Sequence, residues 1–245
     1  MDLGGSVAIV TGSSSGIGAA IARRLSAEGA GVVVNSSSSV AAGEALAAEL
    51  TDALYVQADV RDEAQGRALV DAALDRWGRL DILVNNAGWT QVVPHDDLDG
   101  ATDEVWRRIL DTNVLGPWYV TRAAVPALRA SGNGCVVNMS SLAGVRVAGS
   151  SLPYAVSKAA LNHMTQLLAA VLGPEIRVNA LAPGLVDTPW TEDWDAVRAA
   201  ISARAPLQRS GSPEDMADAC LALVQSRYVT GEVLVADGGM HLRMA

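Results

Sequence analysis

The chain has 245 residues, half of them hydrophobic, which is enough to bury one substantial core and short enough to remain one domain. Its formal net charge of −9, with no run of Lys or Arg to interrupt it, repels phosphate backbones and excludes nucleic acid as a partner. No apolar stretch reaches the roughly 18 residues of a membrane span, and the first one, Val7 to Val10, is too short for a secretory core, so the expected location is cytoplasmic with no membrane partner.

Short β-branched runs alternate with helical patterns from end to end, which implies a parallel sheet covered by helices on both faces. The first strand, 7–11, runs into TGSSSGIG and then into a helix over 17–28 with Ile17, Ile21 and Leu25 on one face. Gly12, Gly16 and Gly18 let backbone approach an anion at that helix N-terminus, where unpaired N–H groups and the macrodipole favour negative charge. No Gly-Lys-Ser/Thr follows, so this is not a Walker A loop, and the spacing is not GxGxxG either. A second strand, 31–35, ends in the polar turn Ser36 to Ser39 before a helix over 40–50. Strand 53–57 leads to a helix over 62–77, and strand 81–85 leads through NNAG to a long helix over 102–131 with a bend near Gly116 and Pro117. Strand 134–140, helix 154–172, strand 176–181, helix 213–225 and strand 232–236 complete the series, the last helix having Ser212 as cap and Pro213 as first residue. The expectation is an α/β fold of the Rossmann type, a doubly wound seven-stranded parallel sheet in a single catalytic domain over 1–245. Residues 188–212 depart from the alternation and stand where a substrate lid belongs.

Of the 18 basic residues only Lys158 is a lysine. It follows Tyr154 by four positions, so the two share one helix face. Hydride delivery to a ketone leaves an alkoxide that needs a proton and nearby positive charge. A phenol of ordinary pKa about 10 supplies the proton, and an ammonium beside it lets the same group take the proton back. Taken alone, an i,i+4 Tyr/Lys pair is ordinarily an exposed surface contact, and only its combination with other motifs makes it catalytic. Cys135 and Cys220 form no CxxC pair and read as small buried hydrophobes, with neither a metal nor a disulfide implied. His95 reads as a solvated loop residue near a substrate entrance, His163 and His241 as packing or interface residues, and no GxSxG elbow supports a serine hydrolase.

Several segments combine into a specific pattern: TGSSSGIG at 11–18, Asp59-Val60, NNAG at 85–88, Asn113, Ser141, Tyr154 with Lys158, and Pro183-Gly184 followed by Thr188. The intervals are 28 residues from Asn113 to Ser141 and 13 from Ser141 to Tyr154. In content, order and spacing the chain resembles the short-chain dehydrogenase/reductase family over essentially its whole length, in particular its 3-oxoacyl reductase-like ketone reductases. The resemblance implies that Gly12, Ser14, Ser15, Gly16, Ile17 and Gly18 meet the cofactor phosphates and ribose, that Asp59 and Val60 flank the adenine, and that Asn86, Ala87 and Gly88 line the cleft. It further implies that Pro183, Gly184, Val186 and Thr188 hold the carboxamide end of the nicotinamide. Tyr154 would be the proton donor and acceptor, Lys158 would lower its pKa and bind the nicotinamide ribose, Ser141 would orient the substrate oxygen, and Asn113 would hold a water that relays protons to Lys158. Ser140 competes with Ser141; the 13-residue interval favours Ser141.

Cofactor choice depends on the end of the second strand, where an acidic residue binds the ribose 2′-hydroxyl and repels a 2′-phosphate. Asn35, Ser36 and Ser37 stand there, so NADP(H) is expected over NAD(H), although Ser15 occupies the place where a basic residue often precedes the second glycine in NADP-preferring relatives. Trp89, Gln91, Val92 and Val93, residues 142–147 from Leu142, and Leu185, Trp190 and Trp194 are expected to wall a largely apolar substrate pocket, Trp190 and Trp194 equally being lid pins. A small-molecule ketone or secondary alcohol is the expected substrate, with a 3-oxoacyl-(acyl-carrier-protein) as runner-up and Arg122 and Arg129 as its available cations. A non-catalytic dinucleotide-binding sensor is the reading from a different class. Family resemblance also implies a homotetramer pairing the helices around 102–131 and 154–172, with 231–242 as a further interface.

Overall fold

Among residues 3–243, which the computed structural model describes, seven parallel strands form one sheet. They are β1 (Val7–Val10), β2 (Gly31–Ser36), β3 (Ala53–Gln57), β4 (Ile82–Asn85), β5 (Gly134–Met139), β6 (Ile176–Pro183) and β7 (Val233–Ala236), side by side in the order β3-β2-β1-β4-β5-β6-β7. The five inner strands are buried throughout, which is why they read as unbroken apolar runs, whereas the edges β3 and β7 are partly exposed. The helices are α1 (Gly16–Ala27), α2 (Val40–Glu49), α3 (Glu63–Trp77), α4 (Asp103–Leu110), α5 (Gly116–Ala130), α6 (Leu152–Leu172), α7 (Asp195–Arg204) and α8 (Pro213–Gln225).

Alternate residues of each strand point to opposite faces, giving two cores. On one, Ile21 and Leu25 of α1, Leu46 of α2 and Val224 of α8 pack on Val10, Val34, Val84 and Val137. On the other, Leu69 of α3, Val120 and Leu128 of α5 and Leu168 of α6 pack on Ile9, Val33, Leu83 and Val136. Each fully buried side chain of this kind stabilises the fold by about 1.5–3 kcal/mol. Cys135 and Cys220 are free, fully buried members of the first core, as their sequence context implies.

The chain leaves β1 toward β2 and β3, then returns across the sheet to β4, so strand order reverses between β1 and β4. At such a reversal the connections diverge and leave a crevice outside the C-terminal strand ends.

Three local departures from the sequence expectation are present. The long helix over 102–131 is divided by one π-helical turn, Asp111–Leu115, just before the expected bend. Pro117 has no N–H to return to the Asn113 carbonyl, which breaks the regular ladder at that point. Helix α6 begins at Leu152 rather than Tyr154, because Pro153 is compatible with a first turn. Within 188–212 lie a short 3-10 turn, Pro189–Thr191, and α7, none of whose residues is buried. Among the described residues no helix is long and apolar enough to cross a membrane.

Candidate active site

A cavity of about 1020 Å³ opens at the strand-order reversal, at the upper end of the range for small-molecule sites. The turn after β1 forms one wall, from Gly12 through Ser14, Ser15, Gly16, Ile17 and Gly18. A Cβ on Gly12 would lie 2.8 Å from the Ala87 Cα, and one on Gly18 would lie 2.5 Å from both Asn86 Nδ2 and the Gly12 carbonyl. Glycine is therefore required for the turn to lie against NNAG. Side chains lock that approach: Asn86 Nδ2 donates to the carbonyls of Thr11 (2.9 Å) and Gly12 (3.0 Å), and Thr11 Oγ1 accepts from the N–H groups of Asn86 and Ala87 at 3.0 Å each. Ser15 places no side-chain cap on α1, so the first-turn N–H groups suit an anionic group. A cradle of backbone pressed this closely, ending at a helix N-terminus, fits a dinucleotide pyrophosphate.

Asn35 and Ser36 line this end but play other parts than the ribose-facing one expected of them. Asn35 is 1% exposed; its Oδ1 accepts from the Gly12 N–H (3.1 Å) and its Nδ2 donates to the carbonyls of Val56 (3.1 Å) and Ala58 (3.0 Å). It is a strut under the glycine turn. The Ser36 hydroxyl is bonded to the Tyr55 phenol at 2.8 Å, which leaves Ser37, with Ser38 and Ser39, to offer hydroxyls here. Asp59 also lines the cavity, gripped by Arg61, whose Nε lies 3.0 Å from each carboxylate oxygen; that pairing holds the Asp59 carboxyl below its ordinary range. Val60 stands beside them on the wall.

Farther along the crevice, Ser141 at the end of β5 and Tyr154 and Lys158 on α6 line one wall together. Packing around Tyr154 desolvates its phenol and raises its pKa, while a hydrogen bond with the Ser141 side chain pulls in the opposite direction. Lys158 is 4% exposed; its Nζ donates to the Met139 carbonyl at 2.8 Å and lies 5.6 Å from the centre of the Tyr154 ring. Burial pushes this ammonium down from 10.5 to about 8. The Ser141 Oγ accepts from the Ala143 N–H at 3.2 Å, and Ser140 turns its hydroxyl to the Lys158 carbonyl at 3.4 Å. Asn113 is fully buried behind this wall rather than on it. Its Oδ1 accepts from the Trp89 N–H (2.8 Å), and its Nδ2 donates to the Trp89 carbonyl (3.0 Å) and Ser157 Oγ (3.1 Å). Both atoms of the Asn113 amide are thus engaged by protein groups.

Pro183 at the end of β6 and Gly184, Leu185, Val186 and Thr188 beyond it close the crevice, and Gly88, Trp89, Leu142 and Trp190 line it as expected. Gln91 does not: it is exposed outside the wall, while its neighbours Thr90 and Val92 reach the cavity. Thr90 turns inward because its hydroxyl bonds that of Ser150 at 2.6 Å, and the extended segment sends Gln91 the other way. Of residues 142–147 only Leu142 and Ala143 line it. Trp194, Val197 and Ile201 add an apolar flank, and 188–212 is anchored by Arg198, whose Nε donates to Asp187 (2.7 Å) and whose Nη2 donates to the Thr191 carbonyl (3.0 Å). Sequence reasoning missed Arg61 and Arg108, both on the wall; the Arg108 guanidinium stacks 4.0 Å from the centre of the Trp89 ring. Arg122 instead pairs with Glu63, and neither it nor Arg129 lines the cavity. His95 does line it, contrary to the solvated loop position expected of it.

A family model described as Enoyl-(Acyl carrier protein) reductase matches residues 12–241. A chain of Streptomyces violaceoruber, provisionally named ketoacyl reductase 2 of the granaticin polyketide synthase, is 58% identical over 239 residues, covering 96% of each chain. The 3-oxoacyl-(acyl-carrier-protein) reductase of Thermotoga maritima is 38% identical over 250 residues, covering 98% of this chain and 99% of that one. A crystal structure from Burkholderia xenovorans, provisionally named a short-chain dehydrogenase/reductase, superposes with a TM-score of 0.90 at 40% identity, covering 97% of this chain and 98% of that one.

Proposed function

The chain belongs to the short-chain dehydrogenase/reductase family of oxidoreductases acting on CH–OH groups with a nicotinamide dinucleotide, and we propose that it interconverts a ketone and a secondary alcohol with NADP(H), Tyr154 exchanging the proton. The observation that carries this reading is a desolvated phenol, a serine hydroxyl and the chain's one lysine, buried, on the same wall of a crevice that also holds a dinucleotide-fitting turn.

The bound nicotinamide supplies the hydride to the carbonyl carbon, or accepts it in reverse. Ser141 hydrogen-bonds the substrate oxygen and fixes its position. Tyr154 donates its proton to that oxygen as negative charge develops there. Lys158 keeps the resulting phenolate affordable: an ammonium in a desolvated site acts through a weaker dielectric than water provides. Pro117 supplies no N–H to the Asn113 carbonyl, so that carbonyl, rather than the amide, is the group that holds the relay water leading to Lys158. Residues 188–212 act as the lid that excludes bulk water.

Preference for NADP(H) rests on Ser37 and its serine neighbours, neutral where a carboxylate would repel a 2′-phosphate. A homotetramer is supported by the exposed apolar residues Val156, Leu167 and Val171 on α6 and Trp118 on α5. A second reading, reduction of a 3-oxoacyl group on an acidic carrier, gains from Arg61 and Arg108 on the cavity wall and from the names of the two curated relatives.

The test is a panel of ketones and 3-oxoacyl thioesters, with nicotinamide absorbance followed with each cofactor. We expect turnover with kcat/KM at least roughly tenfold higher with NADPH. Comparable values with NADH would overturn the cofactor preference, and silence across the panel despite tight NADPH binding would replace the enzyme by a dinucleotide sensor.

A further inference from the structure

Asn162 stands four residues beyond Lys158 on α6, as Lys158 stands four beyond Tyr154, so the three follow one another along one side of the helix. Its side chain reaches back over 18 positions of chain, where Nδ2 donates to the Gly144 carbonyl at 3.1 Å. Its Oδ1 is buried with no hydrogen-bonding partner among the described residues. An unpaired buried polar atom costs about 1–3 kcal/mol, so an aliphatic side chain of similar size would serve packing better. What the amide adds is the bond to Gly144.

That bond leads to Ser141 in two steps. Gly144 closes a 3-10 turn, Leu142–Gly144, which starts immediately after Ser141. The Gly144 N–H donates to the Ser141 carbonyl at 2.9 Å and the Ala143 N–H donates to the Ser141 Oγ at 3.2 Å, so the pose of the serine follows the pose of the turn. The turn rests directly on α6: a Cβ on Gly144 would stand 2.6 Å from the Lys158 carbonyl carbon and 2.9 Å from the Ala159 nitrogen. Bare backbone at that contact has no side chain of its own to grip the helix. Ser140 gives one tie, its hydroxyl 3.4 Å from the Lys158 carbonyl, which is long for a hydrogen bond of this type. Asn162 gives the shorter one, so Ser141 lies between the two ties in the chain.

Asn162 does not itself line the cavity. We propose that it is a positioning residue, which by holding the Gly144 carbonyl fixes the Ser141 hydroxyl beside the Tyr154 phenol. This inference rests on the ketone-reductase reading above and adds a residue that acts on the reaction only through Ser141. A displacement of about 1 Å in a group that orients the reacting atoms costs up to about 10²-fold in rate, so one remote bond is enough to matter. The hydrogen bond between Ser141 and Tyr154 also draws the phenol pKa down against the rise that burial causes, and a serine that drifts releases that pull.

The experiment is a double-mutant cycle of Asn162→Leu and Ser141→Ala, followed as NADPH oxidation with the ketone the wild type reduces best, at enzyme concentrations high enough to measure the serine variant. Asn162→Leu alone is expected to lower kcat roughly tenfold, with KM and the NADPH dissociation constant within about twofold of wild type. In the Ser141→Ala background the same substitution changes kcat by less than about twofold, because the group it positions is gone. In the direction of alcohol oxidation, where Tyr154 must be ionised to accept the proton, the rising limb of the kcat–pH profile moves to higher pH in Asn162→Leu. Asn162→Ala, which only removes atoms, repeats the comparison if the leucine does not fit. Unchanged kcat in Asn162→Leu would overturn the proposal, as would an equal further loss in the Ser141→Ala background, the mark of a merely structural residue. A wild type that reduces no ketone with NADPH would overturn the reductase reading and this proposal with it, a result distinct from an active wild type that Asn162→Leu leaves unmoved.

Discussion

The two ends of the cavity are built by different means. At the cofactor end, backbone from the ends of buried strands is pressed together at glycines and fixed by the amides of the buried Asn35 and the part-buried Asn86. At the substrate end the walls are loops and α7; Trp190 is 49% exposed, and 188–212 is anchored by an exposed Arg198–Asp187 ion pair. Buried strands and satisfied amides resist local opening, whereas loops with few buried contacts open readily. The contrast teaches that this chain holds the reaction geometry on its rigid frame and leaves selection of the ketone to segments that tolerate change.

Lys158 belongs to the rigid frame, and Lys158→Met should break the chemistry most severely, with kcat falling on the order of 10³-fold. The same variant should be more stable without cofactor. Below pH 8 the folded chain holds a buried ammonium whose pKa has dropped from 10.5 to about 8, and relieving that cost is worth about 3 kcal/mol. Between pH 8 and 10.5 the unfolded chain still binds this proton while the folded chain has released it, so the wild type gains stability as pH rises through that window. The advantage of Lys158→Met should shrink accordingly, and denaturant unfolding at pH 7, 9 and 10.5 measures it. Identical pH slopes for the two chains would contradict the buried ammonium.

Next in size is Gly18→Ala, which adds a Cβ 2.5 Å from Asn86 Nδ2 and the Gly12 carbonyl. Forcing that contact should weaken dinucleotide binding roughly tenfold or more and cost about 1–3 kcal/mol of stability. Fluorescence titration with NADPH reads the first and thermal unfolding the second; unchanged affinity would mean the turn is not the cradle. Arg198→Ala probes the other end and should have the smallest effect, raising KM for the ketone by about three- to tenfold with NADPH affinity intact. Equal weakening of cofactor and ketone would show that the two ends are not separable.

Legibility followed the same division. Seven strands were readable because buried parallel strands are unbroken β-branched runs, and the Tyr154–Lys158 pair because one helix turn fixes their spacing. Asn35 was misread: its amide is used by the glycine turn and by β3, partners that sequence proximity does not reveal. Gln91 failed for a subtler reason, since the bond between Thr90 and Ser150 decides which residues of an extended loop face inward. Arg61 and Arg108 were invisible because exposed arginines carry no periodic signal. His95 looked like an ordinary polar loop residue until the fold brought it to the cavity wall.

The central claim is that the Tyr154 phenol passes the proton. The most direct measurement pairs two readouts on Tyr154→Phe: kcat by nicotinamide absorbance, with the ketone the wild type reduces best, and the dissociation constant for NADPH. A fall in kcat of about 10³-fold or more, with NADPH binding within roughly twofold of wild type, is the predicted result. Residual kcat within about tenfold of wild type would contradict the account.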